Sequence, residues 1–257
     1  RNLATGIERE AVQAESYGRR YHVALSATAG TAGPGVDGNQ RAMAFRVVGL
    51  PVRSRSLLVH LGFSGEWIFR PANAGGSGPG LALSDNPELN PGTVSKYLNT
   101  GRIAAGSGGA FGVEGALSWR RLLLQAEGYD IMLHTRAPQY SRQPHFHGWY
   151  GTLAYTLNGQ GRQWKGRSAA FSSPSCNQKQ TVACNGYGVL EVAGRYSQAN
   201  LQSAGIQGGN QRTAAVALNW WPTAIMRVTM QYEYGQIRGG RIPEHFHGIM
   251  SLFQIKF

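Results

Sequence analysis

His247–Phe257 reads HGIMSLFQIKF, and its alternation decides the fold. Ile249, Phe253, Ile255 and Phe257 fall on one face of an extended strand, while Gly248, Gln254 and Lys256 fall on the other. Strand side chains alternate with a period of two, so one face is apolar and the other largely polar. A half-buried strand of a soluble sheet has this pattern. So does a strand with lipid on one side and a wet lumen on the other.

Working outward from this segment, ten stretches read as strands, over about 20–30, 41–50, 56–70, 109–120, 121–135, 146–158, 186–199, 210–221, 225–237 and 246–257. Leu57, Val59, Leu61, Phe63, Trp67 and Phe69 share a face opposite His60, Ser64, Glu66 and Arg70. Met226, Val228, Met230, Tyr232 and Tyr234 oppose Arg227, Thr229, Gln231 and Glu233. In LLLQAEGYDIML the apolar parity changes near Gly128, which predicts a bulge. IEREAVQAE, residues 7–15, reads as about two helical turns. Trp119, Trp149, Trp220, Trp221, Tyr232 and Tyr234 cluster at strand ends, as interfacial aromatic girdles do.

Connection lengths alternate as well. With Phe257 at the periplasmic end, 31–40, 71–108, 136–145, 200–209 and 238–245 are outer loops, and 51–55, 119–121 and 222–224 are short inner turns. Long outer loops with short inner turns mark a transmembrane barrel. Residues 159–185 break the rule, so either QWKGRSAAF holds an extra hairpin or the strand count slips there. The fold class is all-β, an antiparallel transmembrane β-barrel forming one domain over 1–257.

Composition agrees. The 257 residues include 36 glycines and 10% aromatics, which suit many strands joined by turns. A mean hydropathy of −0.29 leaves no apolar run near the roughly 18 residues of a membrane-spanning helix. The net charge is +12, and only Lys96, Lys165, Lys179 and Lys256 are lysines, so arginine dominates. Its planar fork suits phosphate and carboxylate. Such a surplus points to anion transport, anionic lipid or nucleic acid. No zinc-finger spacing, RNP-like motif or basic helix supports the last. Cys176 and Cys184 are expected to pair in an oxidising compartment, two free thiols being the other reading. No metal cluster surrounds them, and no cofactor is expected.

Several segments resemble the phosphate-selective porin O and P family of Gram-negative outer membranes: LLVHLGFSGEWIFRP, YLNTGRI, GAFGVEGALSWRRLLLQAEGY, GYGVLEVAGRYSQANL, AVALNWWPTAIMRVTMQYEY and the terminal FQIKF. The resemblance runs from about residue 41 to the end and weakly from Arg1. It implies a sixteen-stranded, homotrimeric outer-membrane barrel that passes small anions such as phosphate, in contact with lipid and lipopolysaccharide. Ten strands are part of such a barrel, so further strands are expected upstream of Arg1; the alternative is a compact ten-stranded barrel. The family's lysine-rich sites are not matched here.

Arg46, Arg70, Arg195, Arg227 and Lys256 fall on the lumen parity and are the candidate anion path. Equally, each arginine can brace the wall by pairing with a lumen carboxylate such as Glu191 or Glu233. The loop 71–108 either stands in solvent or folds inward, which brings Lys96 and Arg102 to the lumen. HFHG occurs at His145–Gly148 and His245–Gly248, with a parity that favours a rim or subunit-contact role over metal binding. The main alternative is a non-conducting barrel serving as anchor or assembly partner. An outer-membrane hydrolase using His60 and Ser64, or a soluble β-sandwich, ranks lower, and the protein is not expected to be an enzyme.

Overall fold

The computed structural model describes residues 9–31, 39–72, 78–85, 96–135, 140, 142–175, 186–239 and 245–256. Among these no helix occurs. Eleven strands form one sheet in chain order, each antiparallel to the next. They are β1 (Arg9–Tyr17), β2 (Tyr21–Thr31), β3 (Arg41–Arg53), β4 (Leu57–Arg70), β7 (Ser107–Trp119), β8 (Leu122–His134), β9 (His145–Thr156), β12 (Val189–Ser203), β13 (Ile206–Trp221), β14 (Met226–Arg238) and β15 (His245–Ile255). Two hairpins are inserted: β5 (Gly80–Asp85) with β6 (Leu98–Ala104), and β10 (Trp164–Lys165) with β11 (Ala170–Phe171). The sheet is a meander whose first and last strands, β1 and β15, do not pair with each other among the described residues.

The period-two pattern sets one register throughout, because a one-residue slip would move every apolar side chain to the other face. Trp220, Val228 and Phe253 are successive cross-strand partners, as are Val216, Tyr232 and Ile249. The same face carries Leu153, Leu124, Leu117 and Leu61 further along the sheet. Phe253, Met230 and Val216 are 57–58% exposed there. An apolar face continuous over this many strands far exceeds what a water-facing surface carries, and it needs lipid against it. The opposite, inner face holds Arg46, Glu114, Glu191, Arg195, Arg227 and Glu233 and both hairpins.

Three expectations are corrected. Residues 9–17 are strand rather than helix: each residue from Ala11 to Tyr17 pairs with β2, and that pairing overrides a weak local helical preference. No bulge occurs at Gly128, since β8 is in continuous register with both neighbours. The parity only looks switched because Ile131 and Leu133 face inward into an apolar cluster with Leu98, Ile103, Phe146 and Leu201. The expected loop over 200–209 is a two-residue turn, Ala204–Gly205, with both φ positive (52° and 84°) as a tight hairpin requires. A fourth difference concerns Trp221. It cannot share the girdle of Trp220, its strand neighbour, and it is buried on the inner face.

The hairpins fill the inner face from opposite ends. β5–β6 leaves the outer ends of β4 and β7 and packs on β12 and β13. Leu98 and Ile103 enter the apolar cluster above, and the Tyr97 ring lies 5.2 Å from Phe246 of β15. The connection 157–188, on the end of the short turns, turns inward at β10–β11. Trp164 and Ala169 pack with Val48 and Leu50, and Phe171 reaches the Ala116, Leu123 and Ala154 cluster. QWKGRSAAF does hold a hairpin, but it lies outside the main sheet, so the connection between β9 and β12 remains long on the end of the short turns. Cys176 and Cys184 lie outside the described residues.

Candidate functional site: the inner face

Arg46 on β3 makes three contacts with the Glu114 carboxylate of β7, at 3.0, 2.8 and 3.1 Å. It also donates to the carbonyls of Ala169 (3.1 Å) and Ser168 (3.4 Å) in the inner hairpin. The Trp164 indole donates to His60 Nδ1 at 3.1 Å, so the imidazole proton sits on Nε2 and is shared with Glu114 Oε1 at 3.3 Å. A Cβ at Gly62 would run into the Glu114 side chain, so glycine is what lets that carboxylate lie flat against β4. Both nitrogens of His60 are thus engaged, and no hydrogen bond joins it to Ser64 among the described residues.

A second anchor lies on β12. Arg162 donates through Nε and a terminal nitrogen to the two oxygens of Glu191, both at 2.7 Å, and Glu191 is 1% exposed. Asn219 Nδ2 donates to the same carboxylate at 3.2 Å. Its Oδ1 accepts from Arg227 (2.7 Å) and Thr229 (2.8 Å). The guanidinium carbons of Arg162 and Arg227 lie 5.6 and 5.3 Å from the Trp221 ring. The inner connection is therefore held by one arginine of its own and one of the wall.

Further out, the Arg195 guanidinium lies 3.8 Å from the Tyr150 ring centre. It lines a chamber of about 60 Å³ beneath the outer hairpin, with Tyr129, Ser197, Gln211 and Asp85. Of the remaining candidates, Lys96 donates to Ser84 Oγ at 2.8 Å. Arg102 donates to the carbonyls of Ala72 (3.1 Å) and Gly78, tying the outer hairpin to its own root. Arg70 lies beyond a register shift at Phe69 and pairs with Arg41 at the outer rim, out of step with His60, Ser64 and Glu66. Lys256 is exposed at the inner end of β15.

A further basic feature is one that strand parity could not find. An open cleft of about 490 Å³ at the inner mouth is lined by Arg53, Arg55, Arg120, Arg121 and Arg162, with Ser54 and Gln160. Four of these arginines sit at the ends of two short turns, VRSRS and WRRL, so the signal lay in turns rather than strands. Arg121 donates to Leu157 O at 3.1 Å, and Arg53 donates to Arg19 O. Among the described residues no carboxylate lines the cleft.

The two HFHG segments stand on β9 and β15, with β12, β13 and β14 between them. Their histidines lie on the outward face. His145 is bonded to Asp130 at 2.7 Å.

Comparison with known proteins agrees with this geometry. The family described as phosphate-selective porin O and P matches residues 2–241. That span includes the weakly resembling first strands and stops short of β15. An uncharacterized protein of Caulobacter vibrioides is 26% identical over 204 residues, covering 77% of this chain and 38% of that protein. The chain spans well under half the length of this curated relative.

Proposed function

This chain belongs to the phosphate-selective porin O and P family, and from that premise we propose that it forms wall and constriction of an outer-membrane pore through which small anions, phosphate among them, diffuse passively. In this reading the eleven strands are part of a larger closed ring, sixteen strands in a homotrimer as the resemblance implies. The carrying observation is the division of charge between the faces across the belt: apolar side chains outward, with Arg46, Arg162, Arg195 and Arg227 inward and more arginines at the inner mouth. A charge on the lipid face costs about 2–4 kcal/mol at mid-membrane, so the lumen is where these arginines are tolerated. The path runs past Lys96 and Arg102 at the outer hairpin, along Arg195, past Arg46 and Arg227, and out through the arginine cleft; Arg70 and Lys256 mark its two rims.

The mechanism is electrostatic concentration. Arg46 and Arg162 are spent on Glu114 and Glu191, so they hold the inner hairpin and shape the field. Among the described residues Arg55 and Arg120 line the cleft with no such carboxylate partner, so they raise the local anion concentration while solvent keeps binding weak enough for release. Reversal potentials of the whole protein in a planar bilayer under a salt gradient test this. Anion preference is expected, and Arg55→Ser with Arg120→Asn should reduce it; asparagine tolerates the positive φ of 55° at that turn. Cation preference overturns the proposal.

A second reading has its own observation. Both hairpins cover the inner face, and a barrel filled by side chains does not conduct. Absence of single-channel steps from the whole protein would favour an anchor or assembly partner instead.

A further inference from the structure

Toward the outer edge of the apolar belt, the outward face of β12–β15 changes character. Val216, Tyr232 and Ile249 form one row, and Ala214, Tyr234 and His247 the next. Beyond them come Arg212, Gln236 and His245, then Arg238 on β14. Trp220 and Arg212 are eight residues apart on β13. At about 3.3 Å per residue and a tilt of about 40°, that is roughly 20 Å of height. Arg212 therefore stands in the uppermost part of a belt about 25 Å tall, and Arg238, opposite Asn210 two residues further up, stands about at its outer edge.

The imidazoles are fixed by tyrosines of the neighbouring strand. Tyr232 OH meets His247 Nδ1 at 2.7 Å, and Tyr234 OH meets His245 Nδ1 at 3.0 Å. Gln236 Nε2 donates to the Tyr234 oxygen at 3.0 Å, which leaves that tyrosine's proton for His245. Nδ1 then accepts, and Nε2–H is the donor that remains. Both histidines, Arg212 and Arg238 are exposed, and no ion pair engages the two arginines among the described residues. No carboxylate stands on this face of β12–β15 among them: Glu191 and Glu233 face inward and are buried.

We propose that this outer-end patch, His247 level with Tyr234 and His245, Arg212 and Arg238 above it, is a docking surface for the phosphate groups of a phosphorylated glycolipid in the outer leaflet. Arginine forks match phosphate oxygens, and the imidazole Nε2–H groups add donors beside them. Charge decides between occupants. The same patch of a second copy would set cation against cation, whereas a phosphorylated headgroup complements it. The aromatic row directly beneath sits where headgroup meets acyl chain. The inference rests on the outer-membrane placement and not on conduction.

The test titrates the protein in detergent with bis-phosphorylated lipid A and with the same lipid after dephosphorylation, reading bound lipid by native mass spectrometry. The phosphorylated form should bind at least tenfold tighter. Each arginine contributes about fivefold at a membrane surface, so Arg212→Gln with Arg238→Gln should lose more than tenfold, while Arg212→Lys keeps most of the binding. Equal binding of the two lipids by the unaltered protein overturns the proposal, whether or not the variants fold. So does an unchanged preference in the double variant, or a double variant that alters only the oligomeric mass. A cation-selective pore would sink the transport reading and leave this one standing.

Discussion

Glu114 shows how a single glycine can organise a charged lumen. Three N–H groups of Arg46 and His60 converge on it, and the room for its side chain comes from Gly62. Gly62→Val should displace the carboxylate and cost about 1–3 kcal/mol by overpacking, read as a lowered denaturation midpoint. His60 should lose its indole contact in the same variant, which tryptophan fluorescence of Trp164 would register. An unchanged midpoint would mean that Glu114 has an equivalent second position. Strand parity marked Arg46 as inward from the sequence alone. It carried nothing about Glu114 as partner, because that pair joins residues 68 positions apart.

At the scale of elements, the inner hairpin is held by side chains rather than by the sheet ladder: β10 and β11 pair only with each other. The Arg162–Glu191 pair is its strongest tie. Removing one partner of a buried pair costs about 3–5 kcal/mol, since the other charge is stranded. Arg162→Met is therefore expected to free the hairpin locally, with larger single-channel conductance and faster proteolysis within 159–175. The double change Arg162→Met with Glu191→Met should recover much of the stability, because no charge is left buried. If the single variant conducts like the unaltered protein, the hairpin does not limit flow. A connection too long for its end of the barrel left two readings open in the sequence, this hairpin or a slipped strand count. The hairpin's inward packing was not legible, since Trp164 and Phe171 in a short polar loop do not say which surface buries them.

For the whole molecule the two-faced sheet is the governing feature, and its edges β1 and β15 meet no partner among the described residues. The faces make opposite predictions for one kind of substitution. Val216→Arg places a cation against lipid and should destabilise the protein in vesicles by about 2–4 kcal/mol. Gln231→Arg, on the inner face, should cost far less. Equal costs in guanidinium unfolding from lipid vesicles would mean that the outward face does not meet the bilayer. The comparison also checks the lipid-docking patch indirectly, because it fixes where the apolar belt ends.

The sequence by itself determined the all-β class, ten of the eleven sheet strands, and which side chains share a face. These follow from a local rule, the two-residue period, applied to strands that lie beside their sequence neighbours. It also carried the family resemblance that spans most of the chain. Only the tertiary structure decided that residues 9–17 join the sheet, that both insertions lie on the inner face, and that Arg46 and Arg162 serve carboxylates on distant strands. The His247–Phe257 alternation could say that one face meets lipid. What covers the other face depends on contacts between segments far apart in sequence, and no local periodicity encodes those.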